Sequence, residues 1–158
     1  MRIRVATAGD AAAIIRVVNA AFSFETFIQG PRTDEIRTGE MLSKGQFLVA
    51  EDAGGRIIAA VYAEKRGERG YIGMLAVDPA LQGKGLGRTM MEAAEAHCRA
   101  QGCTFADIHV LSLRSELLPM YRKRGYVETG TEEFQPPTPL KPGFTCHIIV
   151  MSKELESS

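Results

Sequence analysis

The stretch Val77-Asp78-Pro79-Ala80-Leu81-Gln82-Gly83-Lys84-Gly85-Leu86-Gly87-Arg88 constrains this chain more than any other. It joins an apolar run that ends at Val77 to a helical pattern that begins at Leu86, with glycines at three alternate positions between them. Proline cannot donate to a strand ladder, so Asp78-Pro79 stops the strand. The glycines let backbone approach a ligand closely, and the unpaired N–H groups of the next helix bring about half a positive charge to the same place. Strand, glycine loop and helix terminus in that order make a site for an anion.

The rest of the chain limits what that anion can be. Its 158 residues suffice for one domain with a hydrophobic core, expected over 1–153 with a frayed tail at 154–158. Nineteen basic and nineteen acidic residues cancel, so no global field favours nucleic acid or an anionic membrane. Cys98, Cys103 and Cys146 are odd in number and lack CxxC spacing, which argues against a disulfide framework or a metal site. Met1 to Val5 enter a strand-like alternation directly, and no run approaches membrane-spanning length. A cytoplasmic protein is the expectation.

Taken in order, Arg2 to Val5 alternate as a strand, and Thr7-Ala8-Gly9-Asp10 has capping-box spacing before a helix with Ile14, Val18, Ala21 and Phe22 on one face. Ser23 to Arg32 read as an irregular connection that either borders a pocket or plugs the core. Thr33 to Lys44 form a second helix closed by Gly45. Gln46–Glu51 and Arg56–Glu64 make a hairpin around Asp52-Ala53-Gly54-Gly55. In the strand from Tyr71 to Val77, Gly73 marks a bulge or a close approach. Leu86 to Ala100 form an amphipathic helix in which His97 and Cys98 are packing residues. A strand at Phe105–Ser112, parallel to its neighbour, follows. A short helix with Pro119 at its first position and strands at Tyr126–Phe134 and Phe144–Met151 complete the chain. The proline-rich segment Pro136 to Pro142 reads as a stiff surface excursion.

Two common phosphate motifs do not fit. A P-loop requires serine or threonine after its lysine, whereas Gly85 follows Lys84, and a dinucleotide fingerprint requires GxGxxG directly after the strand. The pattern that fits is Gln82-Gly83-Lys84-Gly85-Leu86-Gly87, a Q/R-x-x-G-x-G/A loop opening a helix after Val-Asp-Pro. A second marker lies in Leu118-Pro119-Met120-Tyr121-Arg122-Lys123-Arg124-Gly125-Tyr126, where a helical tyrosine is followed by glycine and an aromatic. With these two motifs and this order of elements, the chain resembles the Gcn5-related N-acetyltransferases over essentially residues 1–153.

The resemblance implies an α/β fold of the acyl-CoA N-acyltransferase type: a mixed, mostly antiparallel sheet of about seven strands with about four helices. It also implies a splay between the Tyr71–Val77 and Phe105–Ser112 strands. It implies acetyl-CoA as cosubstrate, with no metal. The cofactor would be held by Leu75, Ala76 and Val77 along the pantetheine and by Gln82, Gly83, Lys84, Gly85, Leu86, Gly87 and Arg88 at the pyrophosphate. Tyr121 would act as general acid to the thiolate, and Glu25, Glu64 and His109 are the candidates to deprotonate the amine or meet the substrate. Arg114 stands where the family often has asparagine. The implied partner is a small-molecule amine or amino acid rather than nucleic acid or membrane, and dimers are frequent among such proteins. A protein or peptide acetyltransferase and a non-catalytic coenzyme A sensor remain alternatives.

Overall fold

Period-two and period-3.6 patterns produce the elements as expected. In order they are β1 (Arg2–Val5), α1 (Ala11–Ala21), α2 (Glu35–Lys44), β2 (Gln46–Glu51), β3 (Ile57–Arg66), β4 (Arg69–Val77), α3 (Leu86–Ala100), β5 (Phe105–Leu111), α4 (Leu118–Lys123), β6 (Val127–Glu133) and β7 (His147–Glu154). The computed structural model describes residues 1–134 and 140–156, so Pro136 to Pro139 of the expected excursion lie outside the described residues. One seven-stranded sheet runs β1-β2-β3-β4-β5-β7-β6. Its strand pairs are antiparallel except β4 with β5. No helix among the described residues is long and apolar enough to cross a membrane.

Both faces of the sheet centre are covered, which explains why β2 and β3 read as nearly continuous apolar runs. Side chains of a strand alternate between faces. Phe47 and Val49 accordingly pack with Ile14, Val17 and Val18 of α1, while Leu48 and Ala50 belong to the core that includes Met90, Met91, Ala94 and Cys98 of α3. A Cβ on Gly70 would sit 2.5 Å from the Cys98 sulfur, so α3 packs on β4 only because that residue is glycine. Burial pushes the Cys98 thiol up to about 12.

The site depends on how β4 is paired. Against β3 the register passes from Tyr62–Gly73 to Ala60–Ala76, so β4 advances three residues while β3 advances two. The extra residue is a bulge at Met74–Leu75, and Met74 adopts a left-handed φ of 52°. Of the two expectations for Gly73 the close approach holds, since a Cβ there would lie 2.6 Å from the Tyr71 hydroxyl, while the bulge falls just after it. Against β5 the parallel register stops at Ile72–Ile108, and the two strands part beyond it.

Several boundaries differ from expectation for local reasons. α2 begins after Asp34, whose side chain accepts from Arg37 N–H at 2.8 Å, rather than at Thr33. A 3-10 turn over Ser112–Leu117 precedes α4, and Pro119 sits inside the first turn, where no N–H is required. β7 starts at His147 instead of Phe144. Fraying does not begin at Glu154, which is still in β7. The next residue, Leu155, is buried and its N–H donates to Thr104 O at 2.8 Å.

The Gly125-Tyr126 pair after α4 also gains a physical reason. Tyr126 is fully buried and donates to Glu95 Oε2 at 2.7 Å, while Lys153 reaches the other oxygen at 3.2 Å. This network ties the segment after α4 to α3 and β7. Tyr126→Phe leaves the buried Glu95 carboxylate one donor short and should lower unfolding free energy by about 1–3 kcal/mol. The midpoint of a urea titration checks it; an unchanged midpoint contradicts the role given to the hydroxyl.

Candidate functional site

Where β4 and β5 part, a cleft of about 790 Å³ opens and runs from the glycine loop past the parted strands to the α1–α2 connection. At one end, Gly83 and Gly85 both adopt φ of 82°, a left-handed conformation that costs other residues roughly 1–2 kcal/mol. Gly85 is the N-cap of α3 and supplies no capping side chain, so the first N–H groups of that helix keep their donor capacity. A Cβ on Gly87 would meet only Val77, at 3.9 Å, so within the protein there is room for one. Gln82 donates to Val77 O at 3.2 Å and braces the loop against the strand end. These features fit an anionic group held by backbone amides.

The loop side chains contribute less than expected. Lys84 is exposed and does not line the cleft, and Arg88 lines it while pairing with Glu92 at 3.0 Å. Leu75 and Val77 line the cleft, whereas Ala76 is buried in the α1-side core and is not part of the lining. Sequence reading passed over Arg124, which lines the cleft and has a buried Nη1 with no hydrogen-bond partner among the described residues. In the sequence it is one of three consecutive basic residues, and only the fold separates it from Arg122, which pairs with Glu128.

Tyr121 and His109 both line the middle of the cleft. The Tyr121 ring meets Tyr126 edge-on at 6.0 Å, and burial raises its hydroxyl above the usual phenol range against the pull of Arg124 and Arg114. His109 is the first β5 residue beyond the last β4 pair. Its ring lies 4.8 Å from that of Tyr71, and Glu132 Oε2 is 3.8 Å from its Nε2. Burial lowers its basicity, and Glu132 opposes that shift.

At the far end the two glutamates are engaged. Glu25 is buried, with one oxygen accepting from Arg32 at 2.8 Å and the other from Arg114 at 2.5 Å. Arg114 also stacks on Phe24 at 4.5 Å, so in place of asparagine it joins the two walls of the cleft. The Ser23–Arg32 connection does both things expected of it: Phe24 and Glu25 border the cleft while Phe27 and Ile28 are buried. Glu64 accepts from Tyr62 at 2.6 Å and pairs with Arg66. Burial raises its carboxyl, but the bonds from Arg66 and Tyr62 outweigh this and hold it below the usual range. Both oxygens of Glu25 and of Glu64 are thus engaged by protein donors. Among the described residues no cluster of three metal-ligating side chains occurs.

Residues 14–126 match the sequence profile of the acetyltransferase (GNAT) family. The mycothiol acetyltransferase of Saccharopolyspora erythraea is 26% identical over 130 residues, which cover 80% of this chain and 43% of that protein. Glucosamine 6-phosphate N-acetyltransferase 1 of Oryza sativa subsp. japonica is 34% identical over 93 residues, 54% of each. This chain spans less than half the length of the mycothiol acetyltransferases it matches. In structure, the ribosomal-protein-S18-alanine N-acetyltransferase of Escherichia coli superposes with a TM-score of 0.81 at 16% identity, covering 99% of this chain and 95% of that one. A phosphinothricin acetyltransferase of Sinorhizobium meliloti, in complex with acetyl-CoA, gives 0.72 at 19% identity, covering 98% and 88%. The fold is shared with both.

The His109 environment is directly measurable. NMR titration of its ring should give a pKa below the free-histidine value of about 6.5, and Glu132→Gln should lower it further. Because the folded ring binds its proton less readily than the unfolded one, His109 costs stability as pH falls through that range. A pKa at or above about 6.5 contradicts this reading.

Proposed function

The chain belongs to the acetyltransferase (GNAT) family, and from that premise we propose that it moves an acetyl group from acetyl-CoA to a primary amine of a small molecule or amino acid. The observation that carries the proposal is the continuity of one cleft past the backbone loop, the parted strands, Tyr121 and His109. Acetyl-CoA supplies an activated thioester whose leaving group is a thiolate. Backbone of Leu75, Ala76 and Val77 accepts the pantetheine as an added strand along the edge that β5 leaves open. The amides of Gly83, Gly85, Leu86 and Gly87 hold the pyrophosphate, with Gln82 bracing the loop and Arg88 and Arg124 adding charge. A backbone N–H at Leu75 polarises the reacting carbonyl.

Tyr121 donates a hydrogen bond to the departing sulfur. A phenol titrating near ~10 and a thiol near ~8.5 make early proton transfer unfavourable, and burial of Tyr121 widens the gap. Its role is therefore to stabilise developing charge and to give up the proton late. His109, uncharged near neutral pH, accepts the proton that the amine must lose, directly or through water. The bridge from Glu25 to Arg114 joins the walls at the acceptor end, which favours a small amine over a peptide.

Thiol release across a panel of free amines and peptides, with and without Tyr121→Phe, tests this. The substitution should lower kcat by about 10² or more while acetyl-CoA affinity changes little. Unchanged kcat removes Tyr121 from the mechanism, and absence of thiol release with any acceptor contradicts the activity.

A further inference from the structure

We propose that the acceptor amine carries an oxyanion, a carboxylate or a phosphate monoester, which docks on Arg37 at the α2 end of the cleft with Arg32 and Arg66 flanking it. This rests on the acetyltransferase reading of the cleft and names the substrate class of that site.

Arg37 lies in the first turn of α2 and lines the cleft. Its Nε is buried with no hydrogen-bond partner, and its guanidinium makes no ion pair among the described residues. A buried N–H donor left without an acceptor is unfavourable, and a ligand oxyanion at this end of the cleft would supply one. The flanking arginines are immobilised. Arg32 stacks on Phe22 at 4.7 Å while holding Glu25, and Arg66 stacks on Tyr71 at 4.5 Å while holding Glu64. At this end of the cleft Arg32, Arg37, Lys44, Arg66 and Arg114 face Glu25, Glu40 and Glu64, five cations against three carboxylates. Two of those carboxylates are already fully engaged. Even with Glu116 pairing with Arg114 from outside the cleft, the balance is positive, in a chain whose formal net charge is zero.

The coenzyme phosphates do not account for this charge. Tyr71, on which Arg66 stacks, is separated from Val77 and the loop beyond it by about 20 Å of strand. The Tyr71 hydroxyl makes no hydrogen bond to the described residues, and Arg66, Arg32 and Arg37 all act on it electrostatically. Its ring also touches His109. His109 and Arg66 both contact the Tyr71 ring, so an amine delivered to His109 brings a nearby acidic group toward the arginines. Planar guanidinium forks match carboxylate and phosphate alike.

The test compares thiol release for each L-amino acid with its amide, and for O-phosphoethanolamine with ethanolamine, using wild type, Arg37→Gln and Arg37→Lys. At least one anionic amine should exceed its neutral counterpart about tenfold or more in kcat/KM. Arg37→Gln should collapse that ratio toward one, chiefly through KM, and Arg37→Lys should restore part of it. The two arms show whether the oxyanion is carboxylate or phosphate. Calorimetry of the same anionic probes against coenzyme A-saturated protein gives a readout independent of turnover. Binding that is lost in Arg37→Gln without any thiol release would sustain the anion site and refute the acetyltransferase reading. Turnover in which amides and ethanolamine match their anionic counterparts, or no binding of any anionic probe, would overturn the inference and leave the acetyltransferase reading standing on its own test.

Discussion

The parting of β4 from β5 is the constraint on which the rest of the molecule depends. Buried backbone N–H and C=O groups need partners, so an open edge inside a sheet persists only where something else prevents closure. Here the extra residue at Met74–Leu75 turns β4 away after Ile72, with Met74 held at a φ that costs on the order of 1–3 kcal/mol. The surrounding core over-determines that strain: Ile72 and Val77 belong to the α3-side core, while Ala76 packs on the α1 side. Gly73 is required beside it because the Tyr71 ring occupies the space of a Cβ. The same opening makes the cleft to which the proposed function assigns both the pantetheine arm and the acceptor.

Burial then prepares two titratable groups in opposite senses. It disfavours the charged form of any side chain, so it raises Tyr121 and lowers His109. Both consequently stand neutral near pH 7, as the proposed roles of the two groups require. Glu64 moves in the reverse sense, since hydrogen bonds from Arg66 and Tyr62 stabilise its ionised form, and Glu25 is committed to two arginines. The cleft is polarised along its length as well. Neutral backbone donors dominate at the loop, and guanidinium groups dominate at the α2 end.

Much of this was legible in the sequence, because the features concerned are local. Leu86–Ala100 is a helix over its full expected span, and the glycine loop announces the ends of both β4 and α3. The pattern of seven strands and four helices follows from periodicity and family resemblance together. The bulge was legible only approximately: Gly73 signals an irregularity, but its placement one residue later is decided by pairing with β3. The arginine cluster was not legible at all. Arg32, Arg37, Arg66 and Arg114 come from four separate segments; in the sequence only Arg114 stands out, as a departure from the family's asparagine, and the other three look like ordinary surface charges. The commitment of Glu25 to Arg114, 89 residues away, is equally invisible before folding.

Amide hydrogen exchange with and without acetyl-CoA tests the central claim, that the edge left by β5 and the loop before α3 together hold the cofactor. Protection on binding should appear at Leu75 to Val77 and at Gly83 to Arg88, with β6 unaffected. Saturating acetyl-CoA without added protection in either segment, or with protection confined to another part of the sheet, would contradict it.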